Sequence, residues 1–488
     1  MERREQFGTR LGFVLVSAGC AIGIGNVWKF PYLCGQYGGA TFILIYLAFL
    51  AIMGLPIIIC EFAVGRGSKK SIALAFSELQ PEGGKWHHYR WFCMAGNYIL
   101  MMFYAMVCGW MMHYAYQTAT GQLTNVTTEQ VSAAYSNMLA DPGTLIFWMM
   151  MTIVVAFGIC AMGLKNGVEK ITKVMMLCLI CLMVILAVHS VTLDGAAEGV
   201  RFYLVPNLDS IREAGLGAVM FAAMSQAFFT LSVGIGAMAI FGSYLDDARS
   251  LTGEAINIVL LDTSVALMAG MIVIPACFAY GLEPEAGPSL LFVTLPNVFS
   301  DMLGGRIWGT AFFVFMTFAA LSTIIAVFEN LVAFAMDGLG WSRKKAVGIN
   351  FVAITLLSLP AVFGFNIWSE IQPLGAGSTI MALEDFIVQD NLLPIGSLAF
   401  VLFCVSKHGW GFDNLLEEAN KGMGVKFPKG VRVYMTYFLP LLVITIYLKG
   451  IYNRFSVQGT GTLILWMAIA CLYIAFVFWL RTPSKKKN

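Results

Sequence analysis

The segment GCAIGIGNVWKFP, Gly19–Pro31, lies inside an apolar run long enough to cross a membrane. Its three glycines and its proline weaken a helix, and Asn26 and Lys29 are costly in hydrocarbon because no water solvates them there. A helix interrupted in this way frees backbone carbonyls for cations and points half-helix ends at charged groups. The segment therefore predicts a polar binding site near the middle of a membrane.

A second interruption is predicted in FFTLSVGIGAM, Phe228–Met238, where Thr230, Ser232 and two glycines stand in an apolar setting. Glycines and small polar residues also occur where helices merely pack closely, which remains an alternative for either segment alone. Interruptions in the first span and five spans later are the pattern that an inverted repeat of five helices produces at its binding interface.

These segments belong to a chain of 488 residues that is 59% hydrophobic and 12% charged, with a mean hydropathy of +0.77. A soluble domain lacks the polar surface to cover so much apolar material, so the chain is expected to be a polytopic membrane protein. Windows of about 20 apolar residues occur about twelve times. They lie near residues 11–34, 41–64, 91–117, 144–163, 171–192, 216–245, 255–281, 306–336, 346–366, 379–404, 433–450 and 460–480. Without a linker between them, they predict a single domain over residues 1–488.

The basic residues are sorted to one side of this predicted topology. If both termini are cytoplasmic, all but six of the 30 Lys and Arg residues face the cytoplasm. The exceptions are Lys29, Arg201, Arg212, Arg306, Lys449 and Arg454. This satisfies the positive-inside rule and predicts a cell-membrane protein with both termini inside. The net charge of +2 gives no reason to expect nucleic acid as a partner.

Several motifs together resemble the neurotransmitter:sodium symporter family, in particular its prokaryotic amino-acid branch. They are the stretch Arg10–Phe42, the stretch GLPIIICEFAVGR (Gly54–Arg66), the spacing of Tyr104 and Trp110, the segment Phe228–Met238, and FAALSTIIA (Phe318–Ala326). The resemblance implies an all-α fold with 12 transmembrane helices and unwound first and sixth helices. It implies inverted repeats at about 11–192 and 216–404, followed by two helices at about 433–480.

The resemblance also implies sites for one or two sodium ions, made of oxygen ligands as a hard cation requires. One site is expected to use the carbonyls of Gly19, Ile22 and Ala319 with the hydroxyls of Ser322 and Thr323. The other is expected to use the Ala21 carbonyl, Asn26, Thr230, Asp262 and the substrate's own carboxylate.

An amino-acid substrate is implied to place its carboxylate on the amides of Ile24 and Gly25 and on the Tyr104 hydroxyl, with its amine near the carbonyls of Ala21 and Phe229. The expected side-chain pocket is apolar and points to a neutral, hydrophobic or aromatic amino acid. It comprises Ile24, Leu100, Phe229, Ser232, Ile235, Thr323 and Val327. Gly23 stands where amine-transporting members carry an aspartate, so here the substrate brings its own carboxylate.

Gates follow from the same resemblance. Lys29 and Gln226 are expected just outside the site, with Asp385 opposing Lys29 and Asp390 as the alternative partner. On the cytoplasmic side Arg4, Tyr244 and Asp337 are expected to form a latch beside Phe7.

Asp262 departs from the asparagine that many members carry, and Ala266 departs from a serine that helps hold chloride. A fixed carboxylate supplies the negative charge that chloride otherwise brings, and alanine has no donor for an anion, so chloride-independent transport is expected. Glu61 in the second span is expected to brace the unwound segments through hydrogen bonds, with proton carriage as the alternative.

The sequence therefore predicts a sodium-coupled symporter that imports neutral amino acids by alternating access. The alternative is a sodium-dependent channel or nutrient sensor on the same scaffold. An enzyme is not expected, because the five histidines have neither metal-ligand nor triad spacing. The expected partners are a small amino acid and the lipid bilayer, and the chain is expected to be a monomer or weak homodimer.

Overall fold

The computed structural model describes residues 7–207, 209, 214–281 and 290–483 of the chain. Among these residues, ten helices are long and apolar enough to cross a membrane. They are Ala40–Ser68, Trp86–Ala119, Pro142–Ala161, Leu164–Val191, Leu251–Ala279, Gly305–Leu339, Arg343–Phe363, Ile380–Val405, Lys429–Phe455 and Thr460–Leu480. The bent pair Arg10–Ala21 and Gly25–Gln36 makes one further span, with 56° between its halves. It is the first span in chain order, and Lys429–Phe455 and Thr460–Leu480 are the eleventh and twelfth.

The predicted sixth span is also divided. It consists of Leu216–Thr230 and the shorter helix Ala237–Ser243, separated by the turns of residues 231–236. In chain order these elements match the predicted windows, and the all-helical, multi-span fold is confirmed. The grouping into two inverted repeats remains a prediction.

The ends of some spans differ from the windows drawn on hydropathy. The fifth span begins at Leu164 rather than near residue 171, because the helix continues through Lys165 and Lys170. Long basic side chains at a helix end can reach the polar interface while their backbone stays helical. Hydropathy therefore marks the apolar part of a helix and misses its charged first turn.

Among the described residues, five short helices lie between the spans: Ile72–Leu79, Thr128–Ala140, Ala196–Leu204, Leu290–Ser300 and Phe412–Ala419. They lie in the loops between the windows of high hydropathy. The best defined start is at Thr127, where the Thr127 and Gln130 side chains exchange hydrogen bonds with each other's backbone N–H groups.

The buried share of each span's apolar window distinguishes central spans from peripheral ones. The eighth and tenth spans have 83% and 89% of their apolar windows buried, whereas the eleventh and twelfth have 33% and 17%. The last two spans therefore lie at the outside of the bundle, and the eighth and tenth lie inside it next to the two broken helices.

The first span breaks where a side chain replaces the helical backbone as a hydrogen-bond partner. Helix Arg10–Ala21 ends at Ile22, whose backbone is extended (φ −71°, ψ 98°). The Gly23 N–H then donates to Asn26 Oδ1 at 3.1 Å instead of to a helical carbonyl. Asparagine competes with the helix in this way because its short side chain carries an acceptor close to the backbone.

The break in the sixth span requires left-handed backbone at alternate residues, with φ of +51° at Ser232, +100° at Gly234 and +71° at Gly236. Glycine adopts this region freely, whereas Ser232 needs support. That support comes from the first break, because Ser232 Oγ donates to the Cys20 carbonyl at 3.1 Å. The two breaks are thus fixed against each other.

Two buried polar side chains form hydrogen bonds with the backbone N–H and C=O groups that lose their helical partners at the break in the sixth span. The Glu61 carboxylate accepts the Gly234 N–H and, at 3.3 Å, the Met238 N–H. Asn97 Nδ2 donates to the Ile235 carbonyl at 2.8 Å. Such pairing is required because unpaired backbone groups in a membrane interior are costly. Glu61 therefore lies where the sequence analysis expects it to brace the unwound segment.

Candidate functional site

A cluster of five oxygen atoms forms where the first break meets the eighth span. Ser322 Oγ lies 3.0 Å from the Gly19 carbonyl, 2.9 Å from the Ala319 carbonyl and 3.4 Å from the Ile22 carbonyl. Thr323 Oγ1 lies 3.2 Å from both the Gly19 and the Ile22 carbonyl oxygens. Two hydroxyl protons face three carbonyls, so acceptors outnumber donors, as suits a hard cation. The structure brings together all five residues predicted for this site.

A second polar cluster contains a buried carboxylate. Asn26, Thr230 and Asp262 are all completely buried. Asn26 Nδ2 donates to Asp262 Oδ1 at 2.8 Å, and the Thr230 hydroxyl donates to Asp262 Oδ2 at 3.0 Å. In the described part of the chain no basic side chain forms an ion pair with Asp262. A buried negative charge needs a positive partner, so the donor set suits a cation.

A small cavity of about 10 Å³ lies beside the two clusters. Its lining is apolar apart from a few hydroxyl groups and backbone atoms. The lining residues are Ala21, Gly25, Leu100, Tyr104, Phe229, Ser232, Ile235, Thr323 and Leu393. Ala21, the remaining predicted ion ligand, thus borders the cavity itself.

Two predicted pocket residues, Ile24 and Val327, and the predicted ion ligand Thr230 do not line this cavity. Ile24 lines a wider vestibule on the other side of Phe229. Thr230 turns its hydroxyl to Asp262. Val327 is fully buried one helical turn beyond Thr323, about 6 Å along the helix axis and past the end of the cavity. Leu393 lines the cavity but was not predicted from the sequence. It directly follows the π-helical segment Phe386–Leu392 of the tenth span, and no sequence motif points to it.

Tyr104 and the first break are in direct contact. The Tyr104 hydroxyl accepts the Ile24 N–H at 2.7 Å, which places a hydroxyl group and an unwound backbone side by side at the cavity. A Cβ atom added at Gly23 would lie 2.5 Å from Thr323 Oγ1 and would also overlap the Tyr104 hydroxyl. Gly23 therefore has no room for the aspartate that the resemblance places there in amine transporters.

Phe229 separates the cavity from the vestibule. Its ring lies so close to Gly25 that an added Cβ would approach it to 2.6 Å. The vestibule measures about 360 Å³ and is bordered by aromatic residues, by Lys29 and by the tenth span. In this conformation the Phe229 and Tyr104 side chains line both spaces and lie between the cavity and the vestibule.

The structure modifies the predicted pairing at the vestibule. Lys29 Nζ donates to Gln389 Oε1, and Gln389 Nε2 in turn donates to Asp385 Oδ1, so Gln389 stands between the two charges. Asp390 instead pairs with Arg454 at 2.5 Å. Asp385 is thus the acid that faces Lys29, but through a glutamine that the sequence analysis did not include.

Gln226 lies beside the first break, where it is completely buried and its Nε2 donates to the Gly25 carbonyl at 2.8 Å. This contact ties the sixth span to the restart of the first span. Gln226 therefore lies near the site, as expected, and its side-chain amide binds a backbone carbonyl of the first span.

The face of the molecule that carries Phe7 and Arg481, called the terminal face, is closed by a buried ion pair. The Tyr244 hydroxyl donates to Glu329 Oε1 at 3.0 Å, and Arg343 contacts both Glu329 oxygens at 2.8 and 2.9 Å. The Phe7 ring packs edge-on against Tyr244 at 5.7 Å. Sequence analysis missed Glu329, although a glutamate inside the apolar helix Gly305–Leu339 was a signal for it.

The other predicted members of this latch are Asp337 and Arg4. Asp337 Oδ2 accepts the Ser71 N–H at 2.6 Å at the start of the helix Ile72–Leu79. Arg4 lies outside the described residues.

Ala266, the residue relevant to chloride, is completely buried four residues after Asp262 and has no polar group in its side chain.

Comparison with known proteins gives consistent matches over the whole described chain. The model of the sodium:neurotransmitter symporter family matches residues 4–135 and 128–480. The uncharacterized sodium-dependent transporter YhdH of Bacillus subtilis is 32% identical over 454 residues, covering 92% of this chain and 98% of that protein. An uncharacterized sodium-dependent transporter of Haemophilus influenzae is 28% identical over 465 residues, covering 92% and 99%. The crystal structure of MhsT in complex with L-phenylalanine matches with a TM-score of 0.83 and 36% identity, covering 92% of this chain and all of that one.

The fold, with two broken helices around a polar centre, and these matches define a sodium-dependent multi-pass membrane transporter rather than an enzyme. The chain belongs to the sodium:neurotransmitter symporter family.

Proposed function

We propose that this transporter couples sodium entry to the import of neutral amino acids with hydrophobic or aromatic side chains, without a requirement for chloride. The observation that carries the proposal is the Asp262 carboxylate, buried without a basic partner and bonded to Asn26 and Thr230. A cation there is stabilised by Asp262 and also lies next to the cavity, where the substrate carboxylate completes its ligands. Ion and substrate then each raise the affinity for the other.

The chemistry of the cavity supports the substrate class. Leu100, Phe229, Ile235 and Leu393 provide an apolar wall, while the Tyr104 hydroxyl and the backbone of the first break provide polar contacts at one end. This suits an amino acid that brings its own carboxylate and buries an uncharged side chain. The matched MhsT structure contains L-phenylalanine, which is consistent with a large apolar side chain.

The conformation supports alternating access. The Phe229 and Tyr104 side chains lie between the cavity and the vestibule, whereas the terminal side is sealed by the Tyr244, Glu329 and Arg343 contacts. With the basic residues and both termini in the cytoplasm, the vestibule faces outward. Each sodium ion entering at 100 mV contributes about 2.3 kcal/mol, and each tenfold gradient adds about 1.4 kcal/mol.

The proposal is tested by uptake of radiolabelled phenylalanine into proteoliposomes that contain the full chain. Uptake is expected only with an inward sodium gradient, and potassium should not replace sodium. Unlabelled leucine, phenylalanine and tryptophan should compete, and lysine and glutamate should not. Preloaded substrate should accelerate entry of label, because a carrier exchanges substrate whereas the alternative channel or sensor does not.

Two threonines on one helix provide a matched pair of variants for the ion site. Thr323→Val removes a hydroxyl from the oxygen cluster, and Thr317→Val removes a buried hydroxyl whose partner is its own helix, the Phe313 carbonyl at 2.8 Å. Only Thr323→Val is expected to raise the sodium concentration for half-maximal uptake, by about tenfold for a loss of about 1.4 kcal/mol. Equal effects of the two variants would contradict this ion site.

A further inference from the structure

A groove of about 640 Å³ lies on the terminal face and shares no lining residue with the substrate cavity. It is formed by the end of the tenth span, the start of the eleventh and the end of the twelfth. Its lining residues are Val405, Ser406, Lys407, His408, Arg432, Val433, Thr436, Tyr437, Phe478, Arg481 and Thr482.

The polar end of the groove is positively charged. Lys407, Arg432 and Arg481 line it, and none of the described residues in its lining is acidic. Asp413 pairs with Arg432 at 3.2 Å in an exposed contact and leaves Lys407 and Arg481 uncompensated within the lining. Lys85 adds a further positive charge, since its Nζ donates to Thr482 Oγ1 at 2.8 Å. The groove thus has an excess of positive charge at one end.

Apolar side chains of the same groove belong to the eleventh and twelfth spans and are exposed. The exposed fractions of Val433, Tyr437 and Phe478 are 58%, 68% and 37%, although their helices belong to spans that cross the bilayer. Lys85 and Arg481 lie over the rings of Trp479 and Phe478, at 4.6 and 5.6 Å. Basic and aromatic side chains combined in this way are typical of the membrane interface.

We propose that this groove binds one anionic phospholipid, with its phosphate against Lys407 and Arg481 and an acyl chain along Tyr437 and Phe478. The basic side chains attract a negatively charged headgroup, and the apolar side chains pack against a hydrocarbon chain. A molecule with both parts therefore fits the groove. Basic pockets between transmembrane helices on the cytoplasmic side recognise such headgroups. The lipid joins three spans, two of which are peripheral and little buried by protein, and therefore stabilises their packing.

The test uses the purified full chain in detergent and native mass spectrometry with added phosphatidylglycerol, phosphatidylcholine or inorganic phosphate. Phosphatidylglycerol is expected to be retained and to raise the unfolding temperature, and phosphatidylcholine is not. The double variant Lys407→Gln/Arg481→Gln should weaken phosphatidylglycerol binding about thirty-fold, since each basic residue contributes about 1 kcal/mol near an anionic headgroup.

The matched control is Lys344→Gln/Lys345→Gln, which removes two exposed basic residues from the same face outside the groove. It should retain phosphatidylglycerol as the unchanged protein does. Tyr437→Ala should weaken lipid binding without affecting phosphate. Equal retention of phosphatidylcholine, full displacement of lipid by millimolar phosphate, or equal losses in the groove and control variants would each overturn the proposal.

Discussion

Replacing Tyr104 with phenylalanine removes one buried hydroxyl group and leaves the ring in place. The hydroxyl accepts the Ile24 N–H at 2.7 Å, and in the proposed complex it donates to the substrate carboxylate. In the variant, water in the free protein and the substrate carboxylate in the complex take the place of the hydroxyl at the Ile24 N–H, so the loss of this bond changes the affinity little. Losing a hydrogen bond to a charged carboxylate costs about 1.5–3 kcal/mol in the complex alone. Substrate binding is therefore expected to weaken about 10- to 100-fold.

The assay is equilibrium binding of radiolabelled phenylalanine to purified protein at saturating sodium, together with thermal unfolding. Tyr98→Phe is the matched control, because Tyr98 lies on the same helix and its hydroxyl donates to Asn350 Oδ1 at 2.5 Å, away from the cavity lining. Tyr98→Phe should lower the unfolding temperature and leave substrate affinity unchanged. The reasoning is refuted if Tyr104→Phe binds substrate within about twofold of the unchanged protein, or if Tyr98→Phe weakens binding equally.

Initial uptake should be equal in chloride and gluconate media, and a large drop in gluconate contradicts the role given to Asp262. Asp262→Asn should raise the sodium requirement about tenfold or more, and adding Ala266→Ser should make uptake chloride-dependent. Gln389→Ala separates Lys29 from Asp385 and should lower the maximal uptake rate on the order of threefold, whereas Arg454→Gln should not. Asn97→Leu removes the bond to the Ile235 carbonyl and should weaken competition by tryptophan about fivefold; unchanged competition would show that this bond does not shape the pocket.

The sequence predicts the broken helices well because the cause of each break is local. Gly23, Asn26 and the alternation of Gly234 and Gly236 act on their own backbone, and the structure has extended or left-handed residues at these breaks. The oxygen cluster around Ser322 was likewise predictable, but only through resemblance. Nothing local in the sequence indicates that a serine of the eighth span meets carbonyls of the first.

Other features were not predictable from single segments. Gln389 lies between Lys29 and Asp385 because of the rotation of the tenth span about its axis, which sequence spacing alone does not give. The cavity ends before Val327 and includes Leu393 for the same reason. Glu329 was visible as a charge in an apolar helix, but its partner Arg343 belongs to the next span.

The sequence by itself determined the membrane setting, the order of the spans and the positions of the two breaks, because apolar length and backbone propensity depend only on neighbours along the chain. Tertiary structure alone decided which oxygen atoms meet, which acid faces Lys29, and which basic side chains share a groove with exposed apolar side chains. These depend on the rotation and depth of each helix in the bundle, which are fixed by packing between distant segments.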